Sequence, residues 1–203
     1  MLFLDELPEF DRKVLEVLRE PLESGHIVIS RARDRVNFPA RFQLVAAMNP
    51  CPCGYVGETS GRCRCTPEQI QRYRNKLSGP LLDRIDLHVT VARESTALNP
   101  CKQAGDDTAS ASALVAQARE CQQQRQGCAN AFLDLAGLRQ HCALSKVDEG
   151  WLESACERLT LSLRAAHRLL KVARTLADLE QVSAIRREHL AEALQYRPTS
   201  PSI

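Results

Sequence analysis

Apolar and polar positions along the first half of the chain form short alternating blocks. Runs of apolar residues without polar interruption predict strands covered on both faces of a sheet, and apolar positions three or four residues apart predict helices. The predicted elements are strands over 2–4, 42–48 and 87–91, a hairpin over 27–38, and helices over 8–22 and 66–77. This alternation of strands and helices is typical of an α/β layered domain.

From residue 110 the chain has a helical pattern throughout. A polar linker over 95–109 separates this half from the first, so the sequence predicts an α/β domain over 1–94 and a helical domain over 110–203. The predicted helices cover 110–125, 133–141, 148–159, 162–179 and 187–195. The fourth has a broad apolar stripe. Its basic residues fit a solvated face; they are Arg168, Lys171 and Arg174.

Composition sets limits on the function. The 203 residues suit one large domain or two small ones, and a net charge of +2 gives no bulk argument for nucleic acid. No apolar run is long enough to span a bilayer, and the acidic residues that follow the first four residues exclude a signal peptide. The sequence therefore predicts a cytoplasmic protein without membrane partners, in which the nine cysteines are mostly reduced.

Two acidic residues and one amide follow predicted strands. Asp5 and Glu6 come directly after the first strand, and Asn49 follows the strand over 42–48. Open α/β sheets bind ligands at the carboxyl ends of their strands. There Asp5 could hold Mg²⁺, Glu6 could act as a general base and Asn49 could orient the attacking water. A solvated acidic turn and an ordinary Asn-Pro turn are the structural alternatives.

Two arginines are candidates for contacts with a nucleotide phosphate. Arg84 lies between two aspartates in the segment 77–87. It is either part of a surface ion pair or an arginine finger that reaches the nucleotide of a neighbouring subunit. Arg164 lies at a helix start, where a cation is unfavourable on dipole grounds, and that position slightly favours a functional role.

Four cysteines form two Cys-x-Cys pairs in the loop over 50–65, namely Cys51, Cys53, Cys63 and Cys65. Four thiolates can close a tetrahedral Zn²⁺ site, which would be structural because no coordination position stays open. Arg62 and Arg64 would offset the negative charge of a zinc–thiolate centre. Free reduced cysteines and a redox disulfide are the alternatives, although paired cysteines in a cytoplasmic chain favour zinc.

These motifs, in this order, resemble those of magnesium-chelatase-like AAA+ ATPases, and most closely those of the bacterial YifB/ComM family. The most specific matching segments are 46–54 (Ala-Ala-Met-Asn-Pro-Cys-Pro-Cys-Gly), 76–88 and 172–179. The resemblance covers nearly the whole chain except a stretch near 95–112. It implies a partial P-loop NTPase core of the α/β class, with a parallel sheet and flanking helices, followed by an all-helical lid domain. The roles it implies are a Walker-B pair at Asp5 and Glu6, sensor 1 at Asn49, an arginine finger at Arg84 and an ATP-contacting sensor 2 at Arg164.

The resemblance also identifies the hairpin over 27–38 as a pre-sensor-1 insertion, which in related ring helicases points into the central pore. Phosphate contacts from such a loop are independent of DNA sequence, and a solvated basic turn is the alternative. The arginines concerned are Arg31, Arg33 and Arg35. The implied protein is a hexameric, DNA-associated ring motor of helicase or remodelling type that uses ATP and Mg²⁺. A metal-chelatase motor subunit and a non-enzymatic, zinc-bearing nucleic-acid-binding fragment are the competing functions.

The chain departs from that family at the P-loop. This motif needs a Gly-Lys pair whose backbone amides and lysine cradle the phosphates, and the sequence contains no such pair. We therefore expect a truncated product, a misassigned translation start or an engineered fragment. Such a chain is expected neither to bind ATP tightly nor to hydrolyse it.

Overall fold

The computed structural model describes residues 1–30, 35–58, 61–91 and 107–197. The chain divides into two compact units, Met1–Ile85 and Asp86–Ile203. The predicted linker falls mostly on residues outside the described ranges, so the predicted domain limits stay predictions.

The first unit contains a two-stranded parallel sheet, an antiparallel hairpin and several short helices. The strands are β1 (Leu2–Leu4), β2 (His26–Ser30), β3 (Arg35–Pro39) and β4 (Leu44–Ala46), and the helices are α1 (Arg12–Val17), α2 (Arg19–Ser24), α3 (Pro67–Arg74) and α4 (Gly79–Leu82). Strands β1 and β4 pair in parallel, with Leu2 opposite Leu44 and Leu4 opposite Ala46. The small core beneath them consists of Leu7, Leu15, Leu77 and Leu81.

The single helix predicted over 8–22 is wrong. A 3₁₀ turn covers Leu7–Glu9, and α1 and α2 meet at Leu18, which ends one helix and begins the other. Pro21 explains the break because it has no N–H to donate to the carbonyl of Val17, and its ring would clash with that carbonyl. In the observed structure Pro21 lies in the first turn of α2, where backbone N–H groups have no helical partner.

The hairpin predicted over 27–38 is confirmed. Strands β2 and β3 pair antiparallel from His26 opposite Pro39 to Ser30 opposite Arg35. Gly25 precedes the hairpin with a φ of +72°, and a Cβ at this position would lie 2.9 Å from Cγ of Arg41. A residue with a side chain would therefore be strained there both by its backbone and by its neighbour.

The strand predicted over 87–91 does not form. The parallel sheet of the described residues contains only β1 and β4, and Leu87, Val89 and Val91 are exposed. An apolar run makes a strand only where a neighbouring strand takes up its backbone hydrogen bonds. The strand predicted over 42–48 is likewise limited to the three residues of β4 that face β1.

The second unit is helical, as predicted. Its helices are α5 (Thr108–Gln126), α6 (Leu135–His141), α7 (Lys146–Arg158), α8 (Leu163–Leu179) and α9 (Arg187–Gln195), with a 3₁₀ turn at Asn130–Phe132. The core surrounds α8, whose Leu169, Ala173 and Ala177 are fully buried together with Leu190 of α9. Among the described residues, no helix combines the length and the apolar character that crossing a membrane requires.

The solvated face predicted for the basic residues of α8 is wrong. Arg174 is 2% exposed and donates to Asp178, which is 1% exposed. The side chain of Arg168 is 16% exposed and pairs with Asp86. Lys171 is half-buried and its Nζ donates to the carbonyl of Ala131 at 3.0 Å. For Arg168 and Lys171 the partner lies on another segment of the chain, which helical spacing alone does not reveal.

Candidate functional site

The carboxyl ends of β1 and β4 lie at the same edge of the parallel sheet. Leu4 and Ala46 are the last residues that pair between the two strands. Beyond them, the amide of Ala47 donates to the carbonyl of Leu4 at 2.9 Å, and the amide of Leu7 donates to the carbonyl of Ala47 at 2.9 Å. These two bonds hold the turn after β1 against the segment after β4. Asp5 and Glu6 therefore leave the sheet at the edge from which the chain continues to Asn49.

The backbone of Glu6 is in the left-handed region, with φ 51° and ψ 47°. Its amide donates to Oδ1 of Asp5 at 2.9 Å, so the two acidic residues form one tight turn. Leu7 and Pro8 are buried directly after it and hold the turn in place. A residue with a Cβ is costly in this conformation, and such strain is concentrated at functional sites.

Asn49 lies beside a tyrosine that the sequence analysis did not identify. Tyr73 of α3 is 7% exposed. Burial, together with the charges of Glu9 and Glu6, raises the pKa of Tyr73, and the nearby backbone N–H of Asn49 opposes that rise. The helical spacing of Ile70, Tyr73 and Leu77 indicates that Tyr73 faces inward, but nothing in the sequence indicates its partner.

The side chain of Asn49 also lies against the cysteine loop. A Cβ built on Gly54 would lie 3.8 Å from Oδ1 of Asn49. Gly54 has a φ of +80°, a conformation that glycine adopts without steric cost. The loop backbone thus approaches the amide group of Asn49 closely.

The four cysteines of the loop form one cluster, as their spacing predicts. Their sulfur atoms all lie within 4.8 Å of one another; they belong to Cys51, Cys53, Cys63 and Cys65. Cys51 is completely buried, and its sulfur lies 3.4 Å from that of Cys53 and 3.9 Å from that of Cys63. Four thiolates bound to zinc at about 2.3 Å place their sulfurs about 3.8 Å apart. The distances therefore fit a shared metal ion and exceed the roughly 2.05 Å of a disulfide.

The electrostatics of the cluster favour a cation. A hydrogen bond from the backbone N–H of Tyr55 lowers the pKa of Cys53 to about 6. The neighbouring Cys53 sulfur and burial raise the pKa of Cys65 to about 12. The backbone N–H of Cys65 lowers the pKa of Cys63, but burial and the sulfurs of Cys53 and Cys51 outweigh that bond and raise it. A thiolate in the cluster thus disfavours ionisation of the neighbouring thiols. A bound metal ion would offset this repulsion between negative charges.

The two candidate phosphate-binding arginines have different surroundings. The side chain of Arg84 is 14% exposed and its Nη2 lies 2.6 Å from Oε2 of Glu23 on α2. The sequence analysis did not identify Glu23, which is 61 positions away. Arg164 belongs to the second unit and is exposed in the first turn of α8, after the Ser162 cap.

The arginines of the hairpin are only partly described. Arg35 begins β3 opposite Ser30 and is exposed. Arg31 and Arg33 lie outside the described residues, so the predicted basic hairpin tip stays a prediction.

Two family models match the chain in succession. The model of magnesium chelatase, subunit ChlI, matches residues 1–99, and the model of the C-terminal part of that subunit matches residues 105–197. Together they cover almost the entire chain.

Three curated relatives match over nearly the whole chain. The uncharacterised protein YifB of Escherichia coli is 51% identical over 97% of this chain and 39% of its own length. The competence protein ComM of Haemophilus influenzae is 50% identical over 97% of the chain and 38% of its own length. An uncharacterised protein of Mycobacterium bovis is 39% identical over 98% of the chain and 40% of its own length.

The chain spans about two fifths of the length of these relatives. The matches nevertheless agree with one another, because the two family models follow each other along the chain and the relatives match across both. The chain therefore belongs to the magnesium-chelatase-like AAA+ family, in which it is similar to YifB and ComM.

Proposed function

We propose that this chain is the Walker-B and lid part of an ATP-driven ring motor that acts on DNA. The observation that carries the proposal is the placement of Asp5, Glu6 and Asn49 at one edge of a parallel sheet. At that edge Asp5 holds Mg²⁺, Glu6 polarises the attacking water and Asn49 orients it. The left-handed backbone of Glu6 is consistent with this assignment because strained backbone is concentrated at active sites.

The nucleotide phosphates in this proposal are held by residues outside the chain. The sequence has no Gly-Lys pair, and the relatives are more than twice as long as the matched part. The 203-residue chain by itself is therefore proposed neither to bind ATP tightly nor to hydrolyse it. A measurable ATPase rate from the purified chain would contradict this.

The hydrolytic role is tested in a full-length protein that contains a P-loop. Glu6→Gln should lower the ATPase kcat by at least about 100-fold, because the general base is lost, and should leave ATP binding intact. The matched control is Glu9→Gln, since Glu9 is a nearby exposed acid paired with Lys76. Equal losses in both variants would contradict the assignment of Glu6.

The arginine roles require a neighbouring subunit and a lid. We propose that Arg84 exchanges Glu23 for the γ-phosphate of the adjacent subunit in a hexameric ring, and that Arg164 contacts the ATP of its own subunit. Subunits with Arg84→Ala and subunits with Glu6→Gln, each inactive alone, should regain part of the ATPase activity when mixed. Failure of every mixing ratio to restore activity would contradict a shared site.

The DNA association rests on the hairpin and on the name of one relative, a competence protein. Replacing the three hairpin arginines Arg31, Arg33 and Arg35 by alanine should weaken DNA binding and lower its salt dependence, because each phosphate contact releases counterions. A control triple replaces exposed arginines outside the hairpin, namely Arg72, Arg74 and Arg119. Equal effects of the two triples would contradict a specific role of the hairpin.

The alternative motor function is metal chelation, which the matching family description supports. The two functions differ in what stimulates the ATPase of the full-length protein. DNA should stimulate a DNA-associated motor, whereas a porphyrin-bearing partner should stimulate a chelatase motor. A third possibility, a zinc-bearing nucleic-acid-binding fragment, would show salt-dependent DNA binding by the 203-residue chain without ATP.

We propose that the four-cysteine cluster binds one Zn²⁺ in a structural role. The sulfur–sulfur distances support this, since 3.4, 3.6 and 3.9 Å bracket those of a tetrahedral thiolate site. Elemental analysis of protein purified without chelators should give one zinc per chain. Replacing zinc by Co²⁺ should give the absorption bands of tetrahedral thiolate coordination, and their absence would contradict the site.

A further inference from the structure

We infer that metal binding at the four-cysteine cluster fixes the position of Asn49, so that the cysteine loop is a positioning element for the sheet edge. The inference rests on the proposed hydrolytic role of Asn49 and on the proposed zinc site. It starts from chain connectivity: Asn49 and Cys51 are separated only by Pro50. Cys51 is completely buried, and Pro50 restricts the backbone between the two residues.

A second contact comes from the other side of the loop. Gly54 follows Cys53 directly, and a Cβ at Gly54 would lie 3.8 Å from Oδ1 and 4.0 Å from Cγ of Asn49. A single carbon added at Gly54 would therefore touch the amide group of Asn49, so a backbone segment that begins at a metal-ligating position passes beside this amide. A shift of Cys53 would move that segment relative to the amide.

A third contact comes from α3. The hydroxyl of Tyr73 lies close enough to the backbone N–H of Asn49, and to Glu6 and Cys51, for all three to shift its pKa. Its side chain is 7% exposed, so one buried ring lies among the acidic turn, the amide and the cysteine cluster. Tyr73 is a positioning residue, since it acts through Asn49.

The loop needs an external constraint to maintain these contacts. Gly54, Gly57 and Gly61 all have positive φ values, of 80°, 88° and 64°, and glycine loses the most conformational entropy on ordering. The first and second cysteine pairs are separated by nine residues, and no disulfide joins the eight described cysteines. A metal ion would therefore close this loop, and catalytic side chains require positions fixed within about 0.5 Å.

The test is amide NMR and hydrogen exchange on the 203-residue chain, with Zn²⁺ added or removed by a chelator. Zinc removal should shift the backbone and side-chain amide resonances of Asn49 and Gly54. It should also raise the exchange rate of the Asn49 N–H by at least about tenfold. Ala177, in the core of the second unit, is the internal control and should not change.

One variant separates the steps. Tyr73→Phe keeps the ring and the cysteines, so Zn²⁺ should still bind, while the amide resonances of Asn49 should shift even in the zinc-bound chain, because the hydroxyl beside the Asn49 N–H is lost. This comparison does not need the metal-free chain to stay folded. In a full-length protein the same variant should lower kcat for ATP by about tenfold with little change in KM. This result is expected if Asn49 is misplaced and its side chain acts only in the transition state.

The outcomes distinguish this inference from the proposed function. If one Zn²⁺ binds but the Asn49 resonances and exchange stay unchanged, the inference is wrong and the zinc site stands. If no metal binds, the zinc site and the inference both fail. If zinc moves Asn49 but Asn49→Ala leaves the full-length ATPase unaffected, the coupling stands and the proposed role of Asn49 fails.

Discussion

Arg174 and Asp178 lie one helical turn apart on α8, and Nε of Arg174 lies 3.0 Å from Oδ1 of Asp178 in the buried interior. The same carboxylate accepts hydrogen bonds from Arg125 of α5 and, at 2.8 Å, from Asn130. One acidic side chain thus pairs with two guanidinium groups and joins two helices. Removing one member of such a buried set leaves charges without a partner and is strongly destabilising.

Asp178→Ala is expected to lower the free energy of unfolding of the second unit by about 3–5 kcal/mol, because buried Arg174 and half-buried Arg125 lose their carboxylate partner. Urea denaturation followed by circular dichroism measures the loss. The control is Arg187→Gln, which removes an ion pair with Asp148 whose arginine side chain is 47% exposed. This control should cost less than about 1 kcal/mol, and equal losses would contradict the prediction.

The same carboxylate predicts a pH dependence. Burial favours neutral Asp178, but hydrogen bonds from Arg125 and Asn130 outweigh it, so the pKa of Asp178 lies below its ordinary value. A depressed folded-state pKa gives stability that is fully present above the unfolded pKa of about 3.9 and is lost as pH falls through the folded value. The urea midpoint of the second unit should therefore fall below about pH 5.

Asp178→Asn is the matched variant for this pH profile. Above about pH 5 its stability should be lower than, and parallel to, that of the unsubstituted chain. At lower pH the two profiles should converge, because protonation removes the same negative charge as the substitution. Parallel profiles at every pH would show that another acid causes the loss.

Because Glu6 has a left-handed backbone, glycine should be more stabilising than alanine at this position, which is the reverse of their order in a helix. Glu6→Gly should be more stable than Glu6→Ala by about 1 kcal/mol, because only glycine avoids the Cβ clash at positive φ. At the exposed helical position 111 of α5 the order should be the usual one, with Ala111→Gly costing about 1 kcal/mol. Chemical denaturation of the three variants measures both differences. Equal stability of the two Glu6 variants would contradict a turn held in this conformation.

Features with nearby partners could be predicted from the sequence. The capping box at the start of α3 is one example, because Thr66 and Gln69 exchange hydrogen bonds of 3.3 and 2.9 Å over only three positions. The cysteine cluster was predictable for the same reason, since two short Cys-x-Cys pairs need only one loop closure. Both predictions depend on local geometry that the residue types themselves determine.

Features with distant partners could not be predicted. The buried carboxylate of Asp178 pairs with Arg125, which lies 53 positions before it. The contact of Arg84 with Glu23 crosses 61 positions, although aspartates lie on both sides of Arg84 in the sequence. The contact of Tyr73 with Asn49 likewise depends on how α3 packs. In each case the packing of separate elements selects the partner, and residue spacing carries no record of it.

Zinc binding by the cysteine cluster predicts proton release. Cys63 and Cys65 have raised pKa values, to about 12 for Cys65, and keep their protons at neutral pH in the absence of metal. Only thiolates bind zinc, so binding must displace at least these two protons, and the apparent affinity should fall about 100-fold when the pH is lowered from 8 to 7. Competition with a chromophoric chelator at both pH values measures this change.

Single cysteine substitutions supply the control for that measurement. Cys63→Ser removes one ligand and should both weaken zinc binding and reduce the pH dependence, because one displaced proton is lost with the thiol. Cys121→Ser changes an exposed cysteine outside the cluster and should alter neither quantity. If Cys63→Ser and Cys121→Ser bind zinc equally well, the metal is not held by the loop. An affinity independent of pH would likewise show that thiolates are not the ligands, since thiol coordination in this range must release protons.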